Sequence, residues 1–284
     1  MDINYTIPKI KIKDYDKKKY LELINLINKN NLKTVCISAN CPNRYECFSN
    51  GNATFMILGD ICTRNCKYCN ISNNNNPKKI DKEEPKRIAT TIKKLNLNYA
   101  VITCVTRDDI EDGGAKHFQN VIYEIRKNTP NCKIEVLISD LKGNWDALKI
   151  IINSNPDVIN HNIEVVRDFF NQLRPQGNYD LSLKLLKKIK EINPKIITKS
   201  GFMIGFGEDE KQIIKTIHDL NNAKCNLLTI GQYLQPSNKH VQVQKYYSQK
   251  EFNKIKKYAK EIGKFKNIYS GFLVRSSYKA GELI

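Results

Sequence analysis

Short apolar runs alternate with amphipathic stretches along the chain from about residue 54 onward. Runs rich in Ile, Val, Leu and Phe predict strands over 55–58, 100–104, 134–138, 158–161, 196–204 and 227–230. Stretches with apolar residues three or four positions apart predict helices over 85–95, 115–127, 144–152, 165–170, 181–192, 210–220 and 248–262. Strands that alternate with helices indicate βαβ units around a parallel sheet.

The number of these units predicts the architecture. Six βα units joined by right-handed crossovers can curl into an open barrel, so we expect an α/β fold with a partial (β/α)6, TIM-like barrel. Barrels of this kind carry their active groups at the carboxyl ends of the strands. The first predicted strand, 55–58, runs directly into a cysteine-rich loop, which is therefore expected at that rim.

Segments of weaker periodicity flank the predicted barrel. Residues 1–16 predict an extended arm, and apolar spacing over 20–30 predicts a short helix. The expected division is an N-terminal extension at 1–53, a barrel at 54–264 and a C-terminal segment at 265–284.

The chain has 284 residues and a formal charge of +18, from 47 basic and 29 acidic side chains. Only eight of the basic residues are Arg, and Ile and Asn are abundant, which is typical of an AT-rich genome. The alternative is a surface for an acidic partner, either nucleic acid or an acidic protein. Nucleic acid is disfavoured because no Arg-rich stretch with interleaved aromatic residues occurs.

The hydropathy pattern also bears on location. No apolar run approaches about 18 residues, so no membrane span or membrane partner is predicted. The first 16 residues are polar and contain no apolar stretch of the kind found in secretory signals. We therefore expect a cytoplasmic protein.

The nine cysteines are unevenly distributed, with six of them between Cys36 and Cys69. A reducing compartment disfavours disulfides, so a dense cluster there indicates metal binding or redox chemistry. The other three, Cys104, Cys132 and Cys225, lie in or beside predicted strands and helices, and we expect them to pack in the core.

The sharpest motif is Cys62-Thr-Arg-Asn-Cys66-Lys-Tyr-Cys69. Three thiolates on one short loop can bind three irons of a cubane cluster and leave the fourth iron open to a small molecule. Zinc is the competing interpretation, but structural zinc sites need four protein ligands and usually pair two C-x2-C motifs or add His.

A second triad lies upstream, at Cys36, Cys41 and Cys47. No His lies near enough in sequence to complete a zinc site, so a second iron–sulfur cluster fits better. Its fourth ligand must then come from elsewhere in the chain.

The loop at 62–69 resembles the signature of the radical S-adenosylmethionine (SAM) enzymes, whose barrels are also partial (β/α)6. Both triads, in this order and with these spacings, resemble the lipoyl synthase family. Further similar blocks lie at 105–118, 160–164, 198–208 and 231–237, and Arg-Ser-Ser-Tyr at 275–278 closes the match. Departures at 110–111 and 141–142 touch no expected cluster ligand.

The resemblance implies two 4Fe–4S clusters and SAM as cofactors. Cys62, Cys66 and Cys69 would hold the SAM-binding cluster, and the upstream triad would hold an auxiliary cluster bound by both chain extensions. A serine of the tetrad would be the fourth auxiliary ligand; Ser277 is favoured and Ser276 is the alternative.

The resemblance also implies a reaction. One-electron cleavage of SAM would produce a radical that removes hydrogen from C6 and C8 of a protein-bound octanoyl group. The auxiliary cluster would be the sacrificial sulfur donor, as in a radical SAM sulfurtransferase of lipoate biosynthesis. The partners implied are octanoylated lipoyl domains of 2-oxoacid dehydrogenases, the glycine-cleavage carrier protein, an electron donor such as ferredoxin or flavodoxin, and an iron–sulfur cluster carrier.

Polar residues near strand ends are candidate SAM contacts. The resemblance and their positions point to Thr103, Asn162, Glu164 and Arg174. The alternative for each is a structural role, since polar residues at strand ends often cap the following helix. Similarly, Arg107, Asp108 and Asp109 either orient substrate or form an ion-pair turn.

Two other classes compete with this interpretation. One keeps the radical SAM core but changes the substrate, as in biotin synthase or a tRNA methylthiolating enzyme. The other is a zinc-dependent nucleic-acid-binding protein that uses the +18 charge. Biotin synthases lack the upstream triad, and methylthiolating enzymes normally carry an additional RNA-binding domain. The zinc-dependent class does not account for the six βα units or for the tetrad at 275–278.

Overall fold

The computed structural model describes residues 14–284. Its strands form one open sheet in the order β1 to β8, in which β2 to β8 run parallel and β1 is antiparallel to β2. The strands are β1 (Lys33–Thr34), β2 (Thr54–Ile57), β3 (Tyr99–Cys104), β4 (Lys133–Leu137), β5 (Val158–Asn160), β6 (Ile197–Ile204), β7 (Leu227–Gln232) and β8 (Asn267–Gly271).

The strands alternate with helices, of which those from residue 84 onward connect consecutive parallel strands. The helices are α1 (Lys17–Lys29), α2 (Val35–Ser38), α3 (Arg44–Ser49), α4 (Glu84–Lys94), α5 (Ala115–Asn128), α6 (Trp145–Asn153), α7 (Arg167–Leu173), α8 (Tyr179–Ile192), α9 (Glu210–Asn222) and α10 (Gln249–Ile262). Capping boxes begin α9, at Asp209 and Gln212, and α10, at Ser248 and Glu251. None of the helices in this described part is long and apolar enough to cross a membrane.

The predicted α/β fold class is confirmed, and all six predicted strands are present with ends shifted by two residues or fewer. The pattern missed β1, β8 and the short helices α2 and α3. β8 is a further parallel strand in which only Ile268 is both apolar and buried, so it lacks the apolar run that marked the others. Most of the predicted N-terminal arm, residues 1–13, lies outside the described residues.

Alternate residues of the central strands face the helices or the concave side of the sheet. Ile134 and Val136 of β4 pack in the apolar core with the helices, whereas Glu135 between them faces the other way. Lys199 of β6 donates to both Glu135 carboxylate oxygens at 2.9 Å, and both side chains are 0% exposed. Tyr99 hydroxyl and Asn160 Nδ2 also donate to Glu135, so a buried polar layer links β3 to β6.

Candidate functional site

The loop that carries Cys62, Cys66 and Cys69 leaves the carboxyl end of β2 through a sharp turn at Leu58 and Gly59. Both residues have positive φ, 69° and 97°, and only glycine adopts this conformation without strain. The turn is held by buried side chains. Leu58 N–H donates to Glu84 Oε2 at 3.0 Å, and Arg107 Nη1 donates to Leu58 O at 3.1 Å.

Later parts of the chain fix the cysteine loop from several sides. The contacts are Cys62 N–H to Ser72 O (2.9 Å), Thr63 N–H to Thr106 O (3.0 Å), Lys67 N–H to Leu173 O (2.8 Å) and His240 Nε2 to Cys69 O (3.1 Å). The loop therefore lies where the carboxyl ends of β2 and β3 meet the segments after α7 and β7, as predicted for a catalytic rim.

The three thiols of this loop are half-buried. Burial raises the pKa of Cys66, which the positive charge of Arg174 partly offsets, and burial raises the pKa of Cys69 to about 12. Thiols of this kind become thiolates when a metal cation binds them. Within residues 14–284, no three His, Cys, Asp or Glu side chains are close enough to hold one ion. The donor chemistry fits a cubane, in which each thiolate binds a different iron.

Three of the four predicted SAM contacts come together beside Cys66. Glu164 and Arg174 both interact electrostatically with the Cys66 sulfur, and Arg174 Nη1 donates to Asn162 O at 3.1 Å. Burial raises the pKa of the Glu164 carboxyl, and the Arg174 charge opposes that rise. The fourth candidate, Thr103, is buried, and its hydroxyl contacts Leu137 O of the neighbouring strand at 3.4 Å, so its hydrogen bond is used within the sheet.

Glu164 has a strained backbone. Its φ is 71°, which is uncommon for any residue except glycine. Two backbone hydrogen bonds hold it beside β6, from Glu164 N–H to Gly201 O at 3.0 Å and from Met203 N–H to Glu164 O at 2.8 Å. Strain that persists because its surroundings enforce it is common at functional sites. It directs attention to Glu164 as a binding group.

The N-terminal triad and the C-terminal tetrad meet at the same rim, although more than 200 residues separate them. Asn43, which lies between Cys41 and Cys47, donates from Nδ2 to Leu273 O at 2.7 Å. Tyr278 hydroxyl donates to the Glu46 carboxylate at 3.2 Å. The two cysteine segments also touch, since Asn70 Nδ2 donates to Ser38 O at 2.9 Å.

The electrostatics and packing around the tetrad are consistent with this arrangement. Arg275 interacts with Cys41 electrostatically, and burial lowers the pKa of its guanidinium. Burial also raises the pKa of Cys36 to about 11. Gly231 at the end of β7 allows the tetrad loop to cross, because a Cβ there would collide with Val274 O.

The two candidate serines have different surroundings. Asn162 Nδ2 donates to Ser276 Oγ at 3.2 Å, so this serine is tied to the group beside Cys66. Asn162 Oδ1 is buried without a hydrogen-bond partner in the described part of the chain. Ser277 Oγ makes no hydrogen bond to any of residues 14–284, which leaves it available as a ligand.

The segment after β3 forms ion pairs. Arg107 is buried and makes two hydrogen bonds of 2.8 Å to the Asp109 carboxylate. Asp108 instead receives two hydrogen bonds from Arg64 of the cysteine loop. Of the two roles open to this segment, the structure shows the ion-pair turn. Arg64 and its second partner, Asp140, were missed from the sequence; the available signal was an Arg between two motif cysteines.

His161 lies beside this site but has a structural role, as do Cys132 and Cys225 in the core. Its Nδ1 is 2.9 Å from Ile138 O, which can only accept, so Nδ1 carries the proton, and Nε2 lies 2.9 Å from Ser182 Oγ. Burial, together with the charge of Arg174, lowers the pKa of His161 to about 4.

The pKa of His161 predicts a pH-dependent stability. Between pH 6.5 and 4 the unfolded chain binds a proton that the folded chain does not, so stability falls as the pH falls. From pH 8 to pH 5 the loss due to this group is about 2 kcal/mol. In urea unfolding we expect His161→Gln to be less stable than wild type at pH 8 but to lose about 2 kcal/mol less over this range. Equal pH dependence in the two proteins would contradict the assignment.

Comparison with known proteins first defines the class. A model of the radical SAM superfamily matches residues 56–220. Methylornithine synthase has a related fold, with a TM-score of 0.55 and 13% identity over 84% of this chain and 66% of that chain. HydG, a maturase of the FeFe hydrogenase, has a TM-score of 0.59 and 17% identity over 89% of this chain and 63% of that chain. The chain spans less than two thirds of the length of each of these solved chains. Because the superfamily model matches more than half of it, the chain is a radical SAM protein.

Closer relatives define the family. Lipoyl synthase of Caldanaerobacter subterraneus subsp. tengcongensis is 48% identical over 88% of this chain and 87% of the relative. Lipoyl synthase of Ruthia magnifica subsp. Calyptogena magnifica is 47% identical over 97% of this chain and 89% of the relative. The chain belongs to the lipoyl synthase family.

Proposed function

We propose that this chain inserts two sulfur atoms, at C6 and C8, into an octanoyl group carried on a lipoyl-carrier protein. The meeting of the N-terminal triad and the C-terminal tetrad beside the Cys62–Cys69 loop carries the proposal, through the contact of Asn43 with Leu273. This meeting places the two cysteine triads at one rim, which suits a reaction that needs a radical source and a sulfur source close together.

This arrangement supports the ligands that the resemblance implies. Cys62, Cys66 and Cys69 hold the SAM-binding 4Fe–4S cluster, and the auxiliary cluster is held by Cys36, Cys41, Cys47 and Ser277. When bound, the first cluster supplies the electron that cleaves SAM and the second supplies sulfur. Hydrogen abstraction from a methylene is difficult chemistry that a cofactor performs, while the protein positions the groups and excludes water.

The chain's own side chains orient SAM. Arg174 offers a fixed positive charge to the SAM carboxylate, and Glu164 can accept from its amino group or ribose hydroxyls. The unpartnered Asn162 Oδ1 is a further acceptor at the same place. Thr103 stays a weaker candidate because its hydroxyl contacts β4.

The proposed setting includes partners that donate electrons and iron. Ferredoxin or flavodoxin would reduce the SAM-binding cluster, a cluster carrier would supply iron and sulfide, and the carriers would be lipoyl domains or the glycine-cleavage protein in the cytoplasm. We propose no nucleic-acid or membrane partner. The auxiliary-cluster module of the barrel at 54–264 comprises the extension 1–53 and the segment 265–284, whose β8 is also a strand of the barrel sheet.

The test is anaerobic reconstitution followed by turnover. Two cubanes predict about eight iron and eight sulfide per chain. An octanoylated lipoyl-domain peptide with SAM and dithionite should give a lipoyl product by mass spectrometry, and dethiobiotin or tRNA should give none. Stoichiometric zinc without iron would contradict the radical SAM assignment. Turnover of dethiobiotin or tRNA in place of the peptide would contradict the proposed substrate.

The serine ligand gives a separate prediction. Ser277→Ala should lose lipoyl product almost completely, because the auxiliary cluster loses its fourth ligand. Ser276→Ala is the matched control and removes only the hydrogen bond from Asn162, worth about 1 kcal/mol or roughly fivefold in rate. Product yield and Mössbauer spectra measure both effects. If Ser276→Ala loses the lipoyl product and Ser277→Ala retains it, Ser276 is the ligand. If both variants retain full yield, neither serine is a ligand.

A further inference from the structure

One guanidinium ties together the loops that follow the first three parallel strands. Arg64 lies in the cysteine loop after β2, Asp108 follows β3 and Asp140 follows β4. Arg64 donates to the Asp108 carboxylate from Nε at 2.7 Å and from Nη2 at 3.0 Å. It donates to the Asp140 carboxylate from Nη1 at 2.7 Å and from Nη2 at 2.6 Å.

This arrangement, which we call the Arg64 clamp, is buried and charged. The side chains of Arg64 and Asp140 are each 2% exposed, and that of Asp108 is 18% exposed. Burial alone would raise the pKa of Asp140, yet the hydrogen bonds and charge of Arg64 lower it to about 2. The Asp140 carboxyl therefore stays ionised at neutral pH. Bidentate guanidinium–carboxylate pairs also fix direction, which a Lys cannot reproduce.

The clamp acts on the backbone between two proposed iron ligands. Arg64 N–H donates to Cys62 Sγ at 3.4 Å, so the residue that is clamped also contacts a ligand atom. The preceding residue, Thr63, is also bound to the segment after β3. Asp108 N–H donates to Thr63 Oγ1 at 3.0 Å, and Thr63 Oγ1 donates to Thr106 O at 3.0 Å. Two successive residues of the loop, Thr63 and Arg64, are thus held by side-chain hydrogen bonds to the segments after β3 and β4.

We propose that Arg64 is a positioning residue, which with Asp108 and Asp140 preorganises the Cys62–Cys69 loop to receive its cluster. The inference rests on the proposed function for the identity of the cluster, and concerns only how the ligands are aligned. Residues that orient metal ligands in this way typically change metal affinity about 10–100-fold when they are replaced.

Asp108→Asn is the test variant, because it removes one charge and leaves Arg64 paired with Asp140. Asp157→Asn is the matched control. Asp157 is 19% exposed and pairs with Arg126 at 2.6 Å, but it precedes β5, at the opposite end of the strands from the cysteine loop. Arg64→Lys is a second test variant that keeps the positive charge but loses the fork geometry.

Two measurements test the clamp. In cluster-free protein, amide hydrogen exchange over residues 62–70 should be about tenfold faster in Asp108→Asn and Arg64→Lys, with the rest of the chain unchanged. In reconstituted protein, SAM should protect the iron of the Cys62–Cys69 cluster from a chelator. The chelator should remove this iron about tenfold faster from the same variants than from wild type. Asp157→Asn should match wild type in both.

Equal exchange in Asp108→Asn and wild type would overturn the proposal. So would faster exchange spread over the whole chain, or an equal effect in Asp157→Asn, because both indicate a general loss of stability. Failure of wild type to take up iron would instead contradict the proposed function, while the exchange measurement on cluster-free protein would still decide the role of the clamp.

Discussion

Replacing Cys66 with Ala is expected to lower the iron content of anaerobically reconstituted protein from about eight to about four atoms per chain and to abolish SAM cleavage. Three thiolates on one loop are the smallest set that holds a cubane with an open iron, so the loss of one releases the whole cluster. The auxiliary triad shares no ligand with this loop and should retain its own iron. Iron and sulfide analysis, the EPR spectrum of the reduced protein and the yield of 5′-deoxyadenosine measure the three effects.

Cys104 provides a matched control for this experiment. It ends β3, pairs in register with Ile57 of β2 and is close enough to Cys62 to interact electrostatically. Burial raises its pKa to about 12, as burial also raises the pKa of the motif thiol of Cys69. Cys104→Ala should therefore keep about eight iron atoms and normal SAM cleavage. Equal loss of iron in Cys104→Ala and Cys66→Ala would contradict the prediction that Cys62, Cys66 and Cys69 define the cluster site by their spacing.

The cysteines illustrate what the sequence could predict. A cluster ligand must be a particular residue type at a particular spacing, so chemistry leaves a local pattern in the chain. Apolar runs likewise identified six buried parallel strands, because both faces of such strands are covered. Fold class and family were accessible for this reason. The ligand sets themselves remain predictions that the variants above test.

Contacts between distant segments leave no local pattern. Asn43 and Leu273 are 230 residues apart, and their contact depends on the pairing of β8 with β7. β8 has too few apolar residues to be predicted from the sequence. The Arg64 clamp also depends on the sheet, which brings the ends of β2, β3 and β4 together. Arg64 and Asp140 are 76 residues apart, and nothing in the sequence pairs them.

The buried pair of Glu135 and Lys199 could be predicted from the sequence only in part. Glu135 lies between the apolar residues Ile134 and Val136, which signals a residue on the concave face. Lys199 lies between two polar residues, and nothing in the sequence pairs it with Glu135, 64 positions away. Both are 0% exposed, and Glu135 also accepts from Tyr99 and Asn160. A charge so deeply buried is tolerated only while its partner is present.

Lys199→Met is therefore expected to lower the free energy of unfolding by about 3–5 kcal/mol, since it leaves the Glu135 carboxylate buried without a counter-charge. The double variant Glu135→Gln with Lys199→Met should recover most of this loss, because no buried charge remains and Gln still offers an acceptor. Lys254→Met is the control: Lys254 pairs with Glu210 at 2.7 Å, but the two side chains are 68% and 59% exposed, and the expected cost is below about 1 kcal/mol. Urea unfolding of these four proteins at neutral pH measures the three differences in free energy. If Lys199→Met costs no more than Lys254→Met, the polar layer does not require the ion pair.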